Sequence, residues 1–423
     1  MKAIIYPGKC HGEVSVPTSK SVAHRMLICA SLSKGKSVIN NVTLSNDILA
    51  TISCLKSLGA EIKVDNNTVT VIGIQKEKPE EVELDANESG STLRFLIPLS
   101  SYLATKVNFK GSEKLISRPL KIYEELFEKE NLKFELDVNK LCIMGNLDSD
   151  YYEIDGGVSS QFISGLLFYL PLLNHDSVIK IIGDYQSKSY TDLTISSLKE
   201  FGVNVLEKED GKLLYIKGNQ EYKACSVSVE GDYSQAAFFL VLGAINNDLK
   251  VKGLNLSSKQ GDMDIVRVLK EAGANLEVDN DYIVSKKSFI SSKDINLEDI
   301  PDLGPILSVL FANALGKSKL YNAKRLRYKE SDRILAIETE LKKFGVEISS
   351  DEDNIYINGG NSFEVSEVID SHNDHRIFMA SSILSTIAKT PVTISNYECI
   401  NKSYPNFLND LKSLGIKVEI KNE

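Results

Sequence analysis

Two apolar patterns alternate along the chain. One closes a series of amphipathic stretches with a recurring phrase: LKSLG at Leu55–Gly59, LKEFG at Leu198–Gly202, LKEAG at Leu269–Gly273, LKKFG at Leu341–Gly345 and LKSLG at Leu411–Gly415, with a weaker copy ending at Asn131. The markers Gly59, Asn131, Gly202, Gly273, Gly345 and Gly415 stand 70 to 72 residues apart, which predicts six copies of one unit. Each marker reads as the end of a helix, where a left-handed residue is needed and asparagine is the best substitute for glycine. Polar and apolar positions then alternate, as in AEIKVDNNTVTVIG, where EIKV and TVTV flank the polar turn Asp65-Asn66-Asn67 and predict a hairpin.

The other pattern is a helix that is apolar nearly all round, once per unit: SVAHRMLICASL, STLRFLIPLSSYL, SSQFISGLLFYLPLL, SQAAFFLVLGAI, LGPILSVLFANAL and HRIFMASSILSTI. Such helices belong in a core. Each begins with small or polar residues, which N-capping alone explains. The last unit ends in IKVEIKNE, a single hairpin strand, so KAIIYPG and GEVSVP at the other terminus are expected to supply what is missing. The fold class is therefore α/β (α+β). The expected division is residues 1–18 plus 229–423, carrying repeats four to six, and residues 19–228, carrying repeats one to three. Two lobes joined by two chain crossings invite a hinge.

Composition narrows the function. The 423 residues are 42% hydrophobic and 25% charged, with a net charge of −9, which argues against a nucleic-acid coat or a membrane-surface role. No apolar run approaches the roughly 20 residues of a membrane span, and the N-terminus lacks a signal-peptide core, so the expected location is cytoplasmic. Cys10, Cys29, Cys54, Cys142, Cys225 and Cys399 lack metal-ligand spacing and read as reduced thiols. His372 and His375 have too few neighbouring ligands for zinc, so no metal is expected.

Against this acidic background, Tyr321–Ile334 concentrates Lys324, Arg325, Arg327, Lys329 and Arg333. The stretch reads either as a solvated, salt-bridged helix face or as a place where an anion is held. On a helix Lys329 and Arg333 would share a face, with Glu330 about 100° round. Arg94 lies within one of the apolar helices, where an unpaired guanidinium is costly and an anionic ligand would relieve it.

Nine segments taken together are specific. PTSKSVAHR (Pro17–Arg25), ESGSTLR (Glu88–Arg94), SRPL (Ser117–Leu120), VSSQF (Val158–Phe162), SKSYT (Ser187–Thr191), IPDLGP (Ile300–Pro305), YKESDR (Tyr328–Arg333), NDHR (Asn373–Arg376) and NKSYPNF (Asn401–Phe407) resemble, in order and spacing, the signatures of the 5-enolpyruvylshikimate-3-phosphate synthases. The resemblance covers essentially the whole chain. It implies a two-domain inside-out α/β barrel, with pseudo-threefold repeats in each lobe and an active site in the cleft between lobes. It implies a cytoplasmic monomer that needs no cofactor and takes shikimate 3-phosphate and phosphoenolpyruvate as substrates, with no nucleic-acid or membrane partner. The enolpyruvyl group would pass to the 5-hydroxyl, releasing phosphate on the route to chorismate and aromatic amino acids.

The same resemblance implies the site residues. Phosphoenolpyruvate would be gripped by Lys20, Arg118, Gln161, Arg333, Arg376 and Lys402, with Gly90 and Arg94 lining its pocket. Shikimate 3-phosphate would be held by Lys20, Ser21, Arg25, Ser159, Ser160, Gln161, Ser187, Tyr190, Asp302 and Lys329. Asp302 is the expected base at the 5-hydroxyl. Glu330, with Lys20, would exchange a proton at C3, and Lys329 would stabilise charge between the substrates. Two residues depart from the family pattern: Glu88 stands where asparagine is usual, and Ser91 where threonine is usual. A carboxylate facing the pocket would repel phosphoenolpyruvate, so the orientation of Glu88 matters; the retained Gly90 implies inhibition by glyphosate.

Three rivals are weaker. UDP-N-acetylglucosamine enolpyruvyl transferases share fold and donor but carry a cysteine in the loop that here reads KGSEKLISRP, and they lack the Ser-Lys-Ser start. A non-catalytic anion-binding protein on this scaffold would not need Asp302 or Glu330. An RNA-end-processing cyclase would favour a basic surface and a catalytic histidine.

Overall fold

The repeat is complete in residues 81–144. Strand Glu81–Asp85 leads into the buried helix Gly90–Leu103, strand Lys106–Lys110, the amphipathic helix Lys121–Lys129, and a hairpin of Lys133–Asp137 with Lys140–Met144. The four strands lie in the order first, second, fourth, third, with the first pair parallel and the others antiparallel. Alternate residues face inward: Val82, Leu84, Val107, Phe109, Leu141 and Ile143 are buried. The same order recurs in the sheets that begin at Tyr151–Asp155 and Ile295–Asn296. The computed structural model describes residues 1–75, 78–360 and 362–421.

The chain divides into two compact units, an inserted lobe Thr18–Val229 and a flanking lobe of Met1–Pro17 with Glu230–Glu423. Each has its own apolar core, and each holds three of the buried helices with small sheets around them. Among the described residues no closed barrel of strands forms: five sheets have four strands and the sixth has three. The markers behave as their spacing predicts, with φ of 108° at Gly59, 57° at Asn131, 83° at Gly202, 93° at Gly273, 81° at Gly345 and 88° at Gly415.

The chain ends are arranged differently from expectation at one strand. Lys2–Ile5 does complete the last sheet, between Val392–Ser395 and Val418–Lys421. Glu13–Ser15 does not join that sheet; it runs parallel to Leu249–Lys252 in the fourth repeat. The residues that precede the fourth buried helix, Ser226–Ser228, pair instead with Lys36–Asn40 in the inserted lobe. That leaves the Leu249–Lys252 edge to be covered, and Glu13–Ser15 covers it. In the last sheet Ile369 already bridges Ile394 in parallel, so only one position remained to fill.

Five buried helices are capped by the residue type their sequences advertise. Ser19, Ser89, Ser159, Asp232 and Asp374 accept from the backbone N–H of Val22, Thr92, Gln161, Gln235 and Arg376. The remaining one, Gly304–Ala312, is entered through a tight turn, Pro301–Leu303, with no side-chain cap. Asp302 is thus employed for something other than capping.

Candidate functional site

In the inserted lobe the helix starts carry three polar groups. At the first, Lys20 sits at the head of helix Lys20–Leu32, with its Nζ 2.6 Å from Asp47 Oδ2. At the second, Gly90 is the focus. A Cβ there would lie 3.0 Å from Arg118 Nη1, 3.6 Å from Arg94 Nη1 and 3.8 Å from Gln161 Oε1. Two guanidinium tips and an amide therefore converge on a bare backbone position, where a ligand could approach closely. Arg94 Nη1 donates to Gln161 Oε1 (2.7 Å), and Gln161 Nε2 donates to Ser91 Oγ (3.1 Å). Arg118 Nε is buried and has no hydrogen-bond partner among the described residues.

Packing sets this group. Pro98, inside helix Gly90–Leu103, cannot bond to the Arg94 carbonyl one turn back, and the Tyr123 hydroxyl donates to that carbonyl instead (2.8 Å). A Cβ at Gly165 would fall on both the Tyr123 hydroxyl and the Arg94 carbonyl, so glycine is what lets helix Ser160–Tyr169 approach. That approach brings Gln161 to Arg94.

The third group is built on Arg25, which is 2% exposed. Its Nε donates to Thr194 Oγ1 (2.8 Å), Nη1 to the Ser21 carbonyl (2.6 Å) and Nη2 to the Tyr190 carbonyl (2.8 Å). Burial lowers its pKa to about 10. The guanidinium ties the turn bearing Ser21 to the helix Lys188–Glu200, which bears Tyr190 and starts at Ser187 in a left-handed conformation (φ 54°). Ser159 is extended and caps its helix, and Ser160 is buried in the first turn. Beneath these starts runs a hydroxyl chain: Ser89 to Thr92 (2.7 Å), Thr92 to Thr51 (2.6 Å), Thr51 to His24 Nδ1 (2.7 Å). Burial, with Lys20 and Arg25 nearby, holds His24 well below its usual value, hence neutral.

In the flanking lobe one carboxylate gathers three cations. Asp302 Oδ1 is 2.8 Å from Arg333 Nη1 and 3.2 Å from Lys329 Nζ, while Oδ2 is 3.1 Å from Arg376 Nη2. Arg333 is 1% exposed and also binds Asp374 through Nε (2.8 Å) and Glu330 through Nη2 (2.7 Å). Lys402 joins through the adjacent turn, donating to the Asn373 carbonyl (2.6 Å). Burial pushes the Asp302 carboxyl up, but Arg376, Lys329 and Arg333 together hold it well below the usual carboxylate range. Burial lowers Lys329 despite the Asp302 charge.

One detail corrects the sequence reading. Lys329 and Arg333 do not share a helix: Lys324–Tyr328 form a tight turn, Lys329 is extended, and the helix Arg333–Lys343 begins only after Asp332 caps Leu335. The competing cap at Asp332 breaks the helical spacing. The two cations still meet, on the same oxygen. Lys324 does pair at the surface, with Glu352 (2.6 Å).

Several partners were not legible in advance. Asp374, Asp47 and Asp262 are all buried. Asp374 anchors Arg333 and caps the helix His375–Ser385, a double use hidden in NDHR. Asp262 accepts from Ser234 Oγ; burial and the Asp302 charge raise its pKa to about 7.

Of the two lobes of repeated α/β units, one carries clustered arginines near its helix starts and the other a cation-loaded aspartate. The sequence profile of EPSP synthase (3-phosphoshikimate 1-carboxyvinyltransferase) matches residues 5–411, and the chain belongs to that family. It is 44% identical over 422 residues to the 3-phosphoshikimate 1-carboxyvinyltransferase of Clostridium novyi (strain NT), covering 97% of each chain. It is 41% identical over 428 residues to that of Clostridioides difficile (strain 630), covering 98% of each. A solved EPSP synthase from Acinetobacter baumannii superposes with a TM-score of 0.80 at 25% identity, covering 99% of this chain and 100% of that one.

Proposed function

We propose that this chain transfers the enolpyruvyl group of phosphoenolpyruvate to the 5-hydroxyl of shikimate 3-phosphate, releasing phosphate. The observation that carries the reading is the single carboxylate of Asp302 holding Lys329, Arg333 and Arg376 at once. A carboxylate so surrounded is a weak base. Phosphoenolpyruvate, with a carboxylate and a phosphate, draws Arg333 and Arg376 onto itself, and the Asp302 pKa rises as its cations leave. Asp302 then accepts the 5-hydroxyl proton as the oxygen attacks C2. Glu330, with Lys20, delivers a proton to C3, giving a tetrahedral ketal. Loss of a proton from C3 to the same group restores the double bond and expels phosphate, which carries away the proton that Asp302 accepted, so both groups return to their starting state.

The inserted lobe serves the same reaction. Arg94, Arg118 and Gln161 around Gly90 hold phosphoenolpyruvate together with Lys402. Lys20, Ser21, Ser159, Ser160, Ser187 and Tyr190 hold shikimate 3-phosphate, whose hydroxyls and phosphate suit hydroxyl and ammonium donors. Arg25 acts on them through the backbone of Ser21 and Tyr190. One chain supplies both sets of residues, so the reading includes a cytoplasmic monomer, which light scattering tests. Incubation with both substrates should release one phosphate per shikimate 3-phosphate consumed. Absence of release with either substrate omitted is expected; absence with both present overturns the reading.

A further inference from the structure

The helix Arg333–Lys343 grips the turn at residues 370–374 in two places. Its first residue, Arg333, binds Asp374. Glu340 lies two turns further on, on the same face. It is 2% exposed; Oε2 accepts from the Asp370 N–H (2.9 Å) and Lys343 Nζ (2.8 Å), and Oε1 lies 2.9 Å from His372 Nε2.

The turn needs holding. His372 and Asn373 are consecutive left-handed residues, both with φ of 52°. Asparagine tolerates that conformation, whereas a histidine gives up about 1 kcal/mol in it. Asp370 Oδ1 reinforces the turn, accepting from the His372 N–H (2.9 Å) and Ser395 Oγ (2.9 Å). From this turn emerge the Asn373 carbonyl that takes Lys402 and the Asp374 cap that starts the helix bearing Arg376.

We infer that Glu340 and His372 form a charged clamp that positions the 370–376 segment and, through it, Lys402 and Arg376 for anion binding. Glu340 and His372 are positioning residues, and the inference rests on the reading of Lys402 and Arg376 as phosphoenolpyruvate ligands. The charged groups facing His372 are Glu340, Asp370 and Lys343. The Glu340 hydrogen bond raises the His372 pKa above its usual value, with Asp370 adding to it and Lys343 and partial burial opposing. The clamp is therefore at full strength below about pH 6.5 and weakens as pH rises through the raised value.

The test uses the full chain with phosphoenolpyruvate varied at saturating shikimate 3-phosphate, at pH 6 and pH 8.5. Glu340→Gln should raise KM for phosphoenolpyruvate about tenfold, with kcat within about threefold and KM for shikimate 3-phosphate unchanged, because a displaced ligand affects ground-state binding. His372→Gln places an amide N–H where the imidazole Nε2 lies, can donate to Glu340 and does not titrate. The ratio of its KM to that of the native protein should approach unity as pH rises. A folded Glu340→Gln protein with native KM, or a His372→Gln ratio independent of pH, overturns the clamp. If Lys402→Met leaves KM for phosphoenolpyruvate unchanged, the ligand assignment has failed instead. The clamp is then judged by thermal midpoints: the native protein should exceed His372→Gln at pH 6 and converge with it by pH 8.5, and no convergence overturns it.

Discussion

Lys329 and Arg333 approach the same atom, Oδ1 of Asp302, from different local conformations, one extended and one at the first position of a helix. With Arg376 on the other oxygen, a single carboxylate holds three cations that anionic substrates would compete for. The consequences are measurable.

Replacing Asp302 with asparagine keeps the shape but removes the proton acceptor. Turnover should fall by about 10²- to 10⁴-fold, the usual contribution of a positioned base. KM for phosphoenolpyruvate should fall or stay level, since the cations no longer leave a carboxylate to reach it. Steady-state kinetics on the folded variant check both.

Asp374→Ala strips the buried Arg333 of the carboxylate that takes its Nε. Breaking a buried pair in this way costs about 3–5 kcal/mol, read as a lower urea midpoint. Burial pushes the Asp374 carboxyl up, but Arg333 holds it below its usual value. Its contribution is therefore present above about pH 4 and lost as pH falls through the lowered value. The stability gap between native protein and Asp374→Asn should shrink correspondingly in acid.

At Gly90 a methyl group would press on the flexible tip of Arg118 and fill the space that Arg94 and the Gln161 amide border. Gly90→Ala should fold normally and raise KM for phosphoenolpyruvate about tenfold, or about 1.4 kcal/mol. Inhibition by glyphosate should weaken with it, while KM for shikimate 3-phosphate holds.

Arg25→Lys replaces a fork that reaches Ser21, Tyr190 and Thr194 with a single ammonium. Leaving buried acceptors unmet should cost about 2 kcal/mol in denaturant unfolding. KM for shikimate 3-phosphate should rise, because Ser21 and Tyr190 lose their common anchor.

The repeat and its punctuation were legible because they rest on local rules: a left-handed residue after each amphipathic helix, Ser or Asp before five of the six buried ones. The strand Glu13–Ser15 was misplaced because pairing is decided by which edge is left open, and that depended on Ser226–Ser228 pairing with Lys36–Asn40. Helical spacing misjudged Lys329 for a related reason, since the Asp332 cap starts the helix four residues later than periodicity suggests. The roles of Asp374, Asp262, Glu340 and His372 were not legible because their meaning lies in partners far away in the chain. Burial of an acid is invisible until its cation is found.

The central claim is that Asp302 is kept a weak base by its three cations until substrate anions draw them away. Titrating its carboxyl carbon by NMR, assigned by loss of the signal in Asp302→Asn, tests this directly. The pKa should lie below the usual carboxylate range in the protein alone and move upward when shikimate 3-phosphate and inorganic phosphate are bound. An ordinary value in the protein alone, or one that does not rise on binding, would contradict the account.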